Sequence, residues 1–342
     1  MLSSGTRKEP IFVVNKFKME AAVVFQKGEM PRYVTDFAEP KVQNEKELLI
    51  AVKASALKHL DKMRASGKHY STENEAWSAK VVGGDGVGVL ADGTRVYAIG
   101  TSGMLAEKAT VEKDILVALP KNLDDATAAA LPNAVMGSAL ALRFRAGLQL
   151  GETVLINGST GVTGKIAVQI AKFYGAKKVI ATGRNEQVLQ ELLSLGADAI
   201  ISLKQPDADL MAQIKNIHQE TPIDVVIDYL WGHSAELILN ALKGHGGTSH
   251  RTRFVSVGGM AGDTITLSSS ILRSTDMQIS GSGLGSWSRT EVKQLITEIL
   301  PEMFQRAAEG KLKIETISVH LKDIEKAWHM QVDGGKRLVV LI

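Results

Sequence analysis

The strongest constraint in this sequence is a regular alternation of strand and helix patterns that begins at Asp124. Short apolar runs flanked by turn residues predict buried strands, and segments with apolar residues at helical spacing lie between them. The predicted order is a helix at 124–146, a strand at 153–157, a helix at 162–174, a strand at 178–182, a helix at 185–195, a strand at 223–228, a helix at 233–243 and a strand at 253–258. This alternation is typical of a parallel sheet covered by helices, so the second part of the chain is predicted to be α/β.

The residues before Asp124 have a different pattern. From Glu20 to about Pro120, short strands alternate with turns, including two runs on either side of the dipeptide Asp92-Gly93. With 342 residues, the chain is long enough for two domains. We therefore predict a β-rich domain followed by the α/β domain. A helix at 289–309 and the strand RLVVLI are too far from the alternation to extend it in the same sheet.

Composition excludes several classes of protein. Lys plus Arg number 40 and Asp plus Glu number 37, a balance that does not indicate a nucleic-acid partner. With no cysteine, disulfides and thiolate metal sites are impossible. The longest stretch without charge, 126–142, contains Pro132 and is too weakly apolar to span a membrane. We predict a soluble cytoplasmic protein with no membrane partner, in which residues 1–18 are an extension without the pattern of a signal peptide.

A glycine-rich loop joins the strand at 153–157 to the following helix. Such a loop lets backbone N–H groups approach a pyrophosphate, and the helix N-terminus adds partial positive charge. The spacing GxxGxxG departs by one residue from GxGxxG, so a plain tight turn is the alternative. Its setting in a strand–loop–helix unit favours a dinucleotide, and the predicted contacts are Gly158, Ser159, Thr160, Gly161, Val162 and Gly164.

The end of the second strand in the α/β part predicts which dinucleotide binds. An NAD site places Asp or Glu here to bind the adenine ribose, whereas this chain has Gly183, Arg184 and Asn185 after Thr182. Arg184 can form charge-assisted hydrogen bonds to a 2′-phosphate. The sequence therefore predicts NADP, with Gly183, Arg184 and Asn185 as contacts. The alternative is that Arg184 is a solvated loop residue and Glu186 reaches the ribose.

The segment TVLINGSTGVTGKIAVQIAKFYGAKKVIATGRN resembles the cofactor segment of medium-chain dehydrogenase/reductases, specifically the zinc-free quinone oxidoreductases related to zeta-crystallin. Further segments resemble the same family in the same order: LLIAVKASALKHLD, ALPNAVMGSALAL, DVVIDYLWG and DIEKAWHMQVDGGKRLVVLI. The resemblance implies a GroES-like β-rich catalytic domain (19–133 and 284–342), a Rossmann domain with a doubly wound parallel sheet that binds NADP (134–283), and an active site in the cleft between them.

The resemblance also implies that no metal takes part. In the zinc alcohol dehydrogenases of this family three ligands hold the catalytic zinc, and the matching positions here are Lys58, Gly84 and Ala130. The paired His245 and His250 of KGHGGTSHRTR have no carboxylate or thiolate between them, so we interpret that segment as a solvated loop rather than a metal site.

The resemblance implies three catalytic residues. Lys58 would stabilise the acceptor oxygen, with a pKa lowered by burial, and Tyr70 and Asp61 would line the cleft beside it. The alternatives are a surface lysine, a half-buried aromatic residue and an exposed helix carboxylate. Further cofactor contacts implied by the family are Ser138, Gly258, Gly281 and Ser282, with simple turn geometry as the alternative for the glycines.

The predicted function is reduction of quinones or α,β-unsaturated carbonyls by a zinc-free, NADPH-dependent oxidoreductase. One alternative is a 2-enoyl thioester reductase. Another is a dinucleotide-binding protein without turnover, since relatives include crystallins and RNA-binding proteins. The family pairs the strand near 277–281 across a two-fold axis, so the resemblance also implies a homodimer.

Overall fold

The computed structural model describes residues 17–67, 77–244 and 249–342. The N-terminal part contains β1 (Lys18–Val24), β2 (Arg32–Ala38), β3 (Glu47–Ala56), α1 (His59–Ala65), β4 (Lys80–Val81), β5 (Asp85–Val89), β6 (Arg95–Ile99), β7 (Lys108–Glu112) and β8 (Val117–Ala118). The central part contains α2 (Asp125–Val135), β9 (Thr153–Asn157), α3 (Val162–Phe173), β10 (Lys178–Gly183), α4 (Glu186–Ser194), β11 (Ala199–Ser202), α5 (Asp207–Glu220), β12 (Val225–Asp228), α6 (Gly232–Ala241), β13 (Thr252–Ser256), α7 (Ser269–Ser274) and β14 (Met277–Gly281). The C-terminal part contains α8 (Arg289–Gln294), α9 (Leu300–Ala308), β15 (Thr316–His320), α10 (Ile324–His329) and β16 (Arg337–Leu341).

The central part is a six-stranded parallel sheet in the order β11-β10-β9-β12-β13-β14. Its middle strands β9 and β12 are buried along their whole length, as expected for strands covered by helices on both faces. From β9 the chain winds outward in one direction through β10 and then in the other through β12. Ligands of such sheets bind at the carboxyl ends of the strands where this reversal occurs. The predicted fold class is confirmed.

The N-terminal and C-terminal parts share one mixed sheet. Its order is β15-β16-β3-β5-β6-β8, with β7 paired to the remaining length of β3, while β2, β1 and β4 form a smaller antiparallel sheet. The last strand runs antiparallel to β3, with Val339 opposite Ala56. The C-terminal strands therefore lie beside the β-rich half of the chain, and the domain limits at 133 and 284 stay predictions.

Helix α2 joins the two sheets. Asp124 caps it by accepting a hydrogen bond from the backbone N–H of Thr127 at 2.8 Å, and the helix continues as a π-helical segment to Arg145. Its buried face is rich in alanine and packs against both β3 and α3. One core therefore runs from Tyr97 in the mixed sheet to Ile156 in the parallel sheet. Within the described ranges, no helix is long and apolar enough to cross a membrane.

Strand β11 and helix α5 are among the elements that lack a counterpart among the sequence-based predictions. Strand β11 has only four residues, and α5 is a largely polar helix whose buried side chains are Leu210 and Ile214. Because β11 is short and α5 has few apolar residues, neither shows a clear periodic pattern, and packing against α6 fixes α5 instead.

Candidate active site

A cavity of about 590 Å³ opens at the carboxyl ends of the parallel strands, between that sheet and the segment containing α1 and the start of β16. Ten of the predicted site residues line it: Lys58, Gly158, Thr160, Gly161, Val162, Gly164, Gly183, Arg184, Gly258 and Ser282. No carboxylate side chain lines the cavity among the described residues. The cavity thus brings the glycine loop together with segments that are distant in sequence.

The glycine loop is shaped by close backbone packing. Gly158 has φ +87°, and a Cβ on Gly164 would lie 2.5 Å from the carbonyl oxygen of Gly158. Gly161 caps α3 without a side chain, so the first N–H groups of that helix receive no side-chain acceptor from their cap residue. A pyrophosphate fits this arrangement, because it can approach the backbone closely and accept hydrogen bonds from those N–H groups.

Ser159 has a structural role in this loop. Its backbone N–H donates to the carbonyl of Thr182 at 2.7 Å, and its hydroxyl donates to the carbonyl of Ile156 at 2.6 Å. Ser159 is fully buried and lies behind the cavity wall. Its contacts tie the loop to the ends of β9 and β10.

At the end of β10, Gly183 and Arg184 line the cavity. A Cβ at Gly183 would lie 2.4 Å from Cγ2 of Thr160, so glycine allows the strand end to pack on the glycine loop. Arg184 is exposed and its side chain is free to reach an anion at this end. Asn185 instead caps α4, accepting from the N–H of Val188 at 3.2 Å, and it lies outside the cavity wall.

A buried polar network fixes the ends of β9 and β12 under the cavity. The amide of Asn157 donates to Asp228 at 2.8 Å, and the hydroxyl of Thr182 donates to Asn157 at 2.7 Å. Burial raises the pKa of Asp228, while the hydrogen bonds from Leu230, Asn157 and Trp231 oppose that rise. Trp231 adopts φ +55°, a conformation held by its N–H bonds to Asp228.

Tyr229 follows this network and lines the cavity. Its hydroxyl donates to the carbonyl of Gly137 at 3.1 Å, and burial raises its pKa well above the ordinary range. The neighbouring Ser138 is buried and donates to the carbonyl of Ala134 at 2.6 Å, so it lies inside the helix packing rather than in the cavity wall. Gly281 likewise does not line the cavity, whereas Ser282 does.

Lys58 occupies the N-cap position of α1 and is only 4% exposed. Its ammonium donates to the carbonyl of Ala56 at 2.9 Å, forms an ion pair with Asp61 at 3.2 Å, and contacts Asp85 more closely still. Burial alone lowers the pKa of Lys58, but the two carboxylates outweigh it and the pKa is raised. The predicted lowering of this pKa is therefore wrong, and so is the alternative of a surface lysine.

Asp61 is buried behind Lys58. It accepts hydrogen bonds from the N–H of Lys58 at 2.9 Å and of Gly84 at 3.1 Å, and it does not line the central cavity. Asp85, the second carboxylate that pairs with Lys58, accepts a hydrogen bond from the hydroxyl of Tyr97 at 2.7 Å. The alternative of an exposed helix carboxylate is wrong for Asp61, because this side chain belongs to an enclosed charge cluster.

The positions that match zinc ligands carry other chemistry. Lys58 is ion-paired, Gly84 has no side chain, and Ala130 is fully buried in α2. Across the described ranges, no three His, Cys, Asp or Glu side chains are grouped so that they could hold a metal ion. His250 binds Asp224 at 2.7 Å near the beginning of β12, at the opposite end of the strands from the cavity. His245 and Tyr70 lie outside the described residues.

Arg337 is a site residue that sequence reasoning missed. It begins β16, lines the cavity and donates to the side chain of Asn133 at 3.3 Å. Its Nε is buried and has no hydrogen-bond partner among the described residues, and burial lowers its pKa. An arginine in this state can bind an anion in the cavity. The sequence signal was a pair of basic residues, Lys336 and Arg337, after two glycines at the start of the last strand.

Sequence reasoning also missed the apolar wall. Leu60, Met136, Met260, Leu284 and Trp287 line the cavity together. They come from four separate segments, with only Leu284 and Trp287 close together in the sequence, so no local pattern marks them as neighbours. The indole N–H of Trp287 donates to the hydroxyl of Ser282 at 3.0 Å, which fixes the ring beside a residue predicted to contact the cofactor.

Comparisons with known proteins agree with this architecture. A sequence profile described as zinc-binding dehydrogenase matches residues 162–300. The chain is 31% identical over 239 residues to a quinone oxidoreductase of Sus scrofa, covering 67% of this chain and 71% of the relative. It is 27% identical over 348 residues to the "probable NADPH-dependent quinone reductase tdiC" of Emericella nidulans, covering 90% of this chain and 95% of the relative. The solved quinone oxidoreductase of Thermus thermophilus, also determined with NADPH, has a TM-score of 0.77 at 26% identity and covers 95% of this chain and 100% of its own.

Proposed function

Since the chain belongs to the quinone oxidoreductase family of the medium-chain dehydrogenase/reductases, we propose that it reduces quinones or other α,β-unsaturated carbonyls with NADPH. The observation that carries this proposal is the single cavity that joins a glycine loop, two arginines and an apolar wall without a carboxylate among its described lining residues. NADPH bound there supplies the hydride.

Different residues of the chain bind different parts of the cofactor. The glycine loop (158–164) holds the pyrophosphate, because the first N–H groups of α3 receive no acceptor from a cap side chain. Arg337 lines the same cavity and adds positive charge to it. Arg184 binds the 2′-phosphate at the end of β10. Tyr229, Gly258 and Ser282 form the wall against the nicotinamide.

The acceptor lies against the apolar wall made by Met260, Leu284 and Trp287. A quinone or enone is already activated for hydride addition, so the protein has to orient it and supply a proton. The Lys58 ammonium donates to Ala56 and Asp85 and is ion-paired with Asp61, which argues against direct proton donation from this group to the acceptor. His59 is exposed in the same cavity wall, where its imidazole can donate a hydrogen bond to an acceptor.

An acceptor panel tests the function. Purified protein is incubated with NADPH or NADH and with quinones, enones, enals and enoyl thioesters, and oxidation of the cofactor is followed by absorbance. We expect turnover of quinones or enones with NADPH and slower turnover with NADH. Turnover confined to enoyl thioesters would establish that alternative instead. Tight NADPH binding without turnover of any acceptor would identify a dinucleotide-binding protein.

We further propose a homodimer formed through β14, the last strand in the order of the parallel sheet. Ser282 donates its N–H toward β13, so strand alternation points the N–H of Ile279 away from β13, where a second copy can accept it. Light scattering at micromolar concentration is expected to give twice the 36.8 kDa chain mass. Ile279→Pro removes the outward N–H and should give monomer, whereas a monomeric wild type would exclude the dimer. A cytoplasmic location stays a prediction.

A further inference from the structure

Lys165 is a buried lysine that the cofactor chemistry does not explain. It lies in the first turn of α3, directly after the glycine loop, and is 5% exposed. Its ammonium contacts the carbonyl of Gly334 at 3.0 Å, Glu315 at 3.2 Å and Glu191 at 3.4 Å. Because a lysine is rarely buried unless its charge is satisfied, these contacts mark a specific connection rather than an incidental one.

The segment 334–337, which we call the strap, lies directly on the glycine loop. Gly334 and Gly335 both adopt positive φ, +71° and +67°. A Cβ at Gly335 would lie 2.5 Å from the carbonyl oxygen of Thr160 and 3.0 Å from Cδ of Lys165. The strap therefore contacts the loop through its backbone, and it ends at Arg337, whose side chain lines the cavity.

The same helix also holds the chain that precedes β15. Gln169, one turn beyond Lys165, donates to the carbonyl of Lys313 at 2.9 Å and accepts from its N–H at 2.8 Å. The C-terminal part therefore contacts α3 at two positions one turn apart, Lys165 and Gln169. The contact nearer the cofactor is the one between Lys165 and the strap.

We propose that Lys165 is a positioning residue for cofactor binding: it holds the strap on the glycine loop and so keeps the backbone of that loop in place for the pyrophosphate. This inference rests on the dinucleotide part of the proposed function and is independent of the acceptor. Without the Lys165 ammonium, the carbonyl of Gly334 loses its donor and the strap is free to leave the loop. Cofactor affinity then falls, whereas the hydride step in the loaded enzyme does not change.

The test is a pair of substitutions at Lys165. Lys165→Met keeps most of the length of the side chain and removes its charge. We expect the Kd for NADPH to rise about tenfold or more, the size of one lost charge-assisted hydrogen bond, with kcat at saturating NADPH within about twofold of wild type. Lys165→Arg restores a cation and should recover most of the affinity. Lys172→Met, on the same helix but paired with Asp198, is the matched control and should leave the Kd unchanged.

Gly335→Ala tests the strap without altering a buried charge. The added Cβ displaces the strap from Thr160, so the same rise in Kd is expected with the same unchanged kcat. If Lys165→Met does not fold, the Kd of Gly335→Ala tests whether the strap contact supports cofactor binding. The Kd for NADPH is measured by fluorescence titration without acceptor. A wrong assignment of the acceptor therefore cannot change this Kd, whereas loss of the strap contact raises it. A folded Lys165→Met or Gly335→Ala protein with wild-type Kd, or a fall in kcat at unchanged Kd, would overturn the proposal.

Discussion

Replacing Lys58 by methionine is the sharpest test of how the charge cluster beside the cavity works. The substitution removes a buried ammonium and leaves Asp61 and Asp85, whose side chains are 2% and 8% exposed, without their cation. Breaking a buried ion pair costs about 3–5 kcal/mol. Asp61 keeps two backbone N–H donors and Asp85 keeps the hydroxyl of Tyr97, so we expect the lower end, about 3 kcal/mol.

The assay is urea unfolding at pH 7, followed by circular dichroism, with Lys53→Met as the control at an exposed position of β3. Adding Asp85→Asn to Lys58→Met should recover part of the loss, because the second substitution removes one of the two unpaired carboxylates. The folded-state pKa of Lys58 is raised above 10.5, so its contribution is complete at neutral pH and declines only as the pH rises through that higher value. The difference between wild type and Lys58→Met should therefore shrink only in strong alkali.

A stability loss below about 1 kcal/mol would refute this account, since such a value is typical of an exposed ion pair. A measurement of turnover distinguishes this structural role of Lys58 from the sequence-based prediction that Lys58 stabilises the acceptor oxygen. If Lys58 stabilises the acceptor oxygen directly, kcat per folded molecule at saturating NADPH falls about tenfold or more. Because the ammonium already donates to Ala56 and Asp85 and is ion-paired with Asp61, we expect a smaller fall in kcat.

Three further predictions concern the cavity. Arg184→Ala should raise the KM for NADPH about tenfold and leave that for NADH nearly unchanged, and equal losses for both cofactors would remove Arg184 from the phosphate site. Gly164→Ala places a Cβ 2.5 Å from the carbonyl of Gly158, so NADPH binding measured by calorimetry should be lost or severely weakened, and normal binding would contradict the packing described for the loop. Dialysis against a chelator should leave NADPH oxidation unchanged, because the zinc-ligand positions hold Lys58, Gly84 and Ala130; activity that zinc alone restores would exclude a metal-free reaction.

The sequence by itself determined the features that depend on neighbours along the chain. The strand at 153–157 and the helix from Val162 were predictable because apolar periodicity and glycine spacing are local signals. The missing carboxylate at Gly183 was equally visible, since the end of a strand in a βαβ unit has a known place beside the ribose. The resemblance to the family then supplied the return of the C-terminal strands to the first sheet.

Only the tertiary structure decided what the charged and apolar side chains do. Lys58 was predicted to have a lowered pKa, but Asp61 and Asp85 together reverse the effect of burial, and Asp85 lies 27 residues away in the sequence. Arg337 and Trp287 enter the cavity from the last strand and from a loop after β14, and neither position has a periodic pattern that points to the cofactor. The physical reason is that burial and charge pairing depend on through-space distance, which packing sets and local sequence does not.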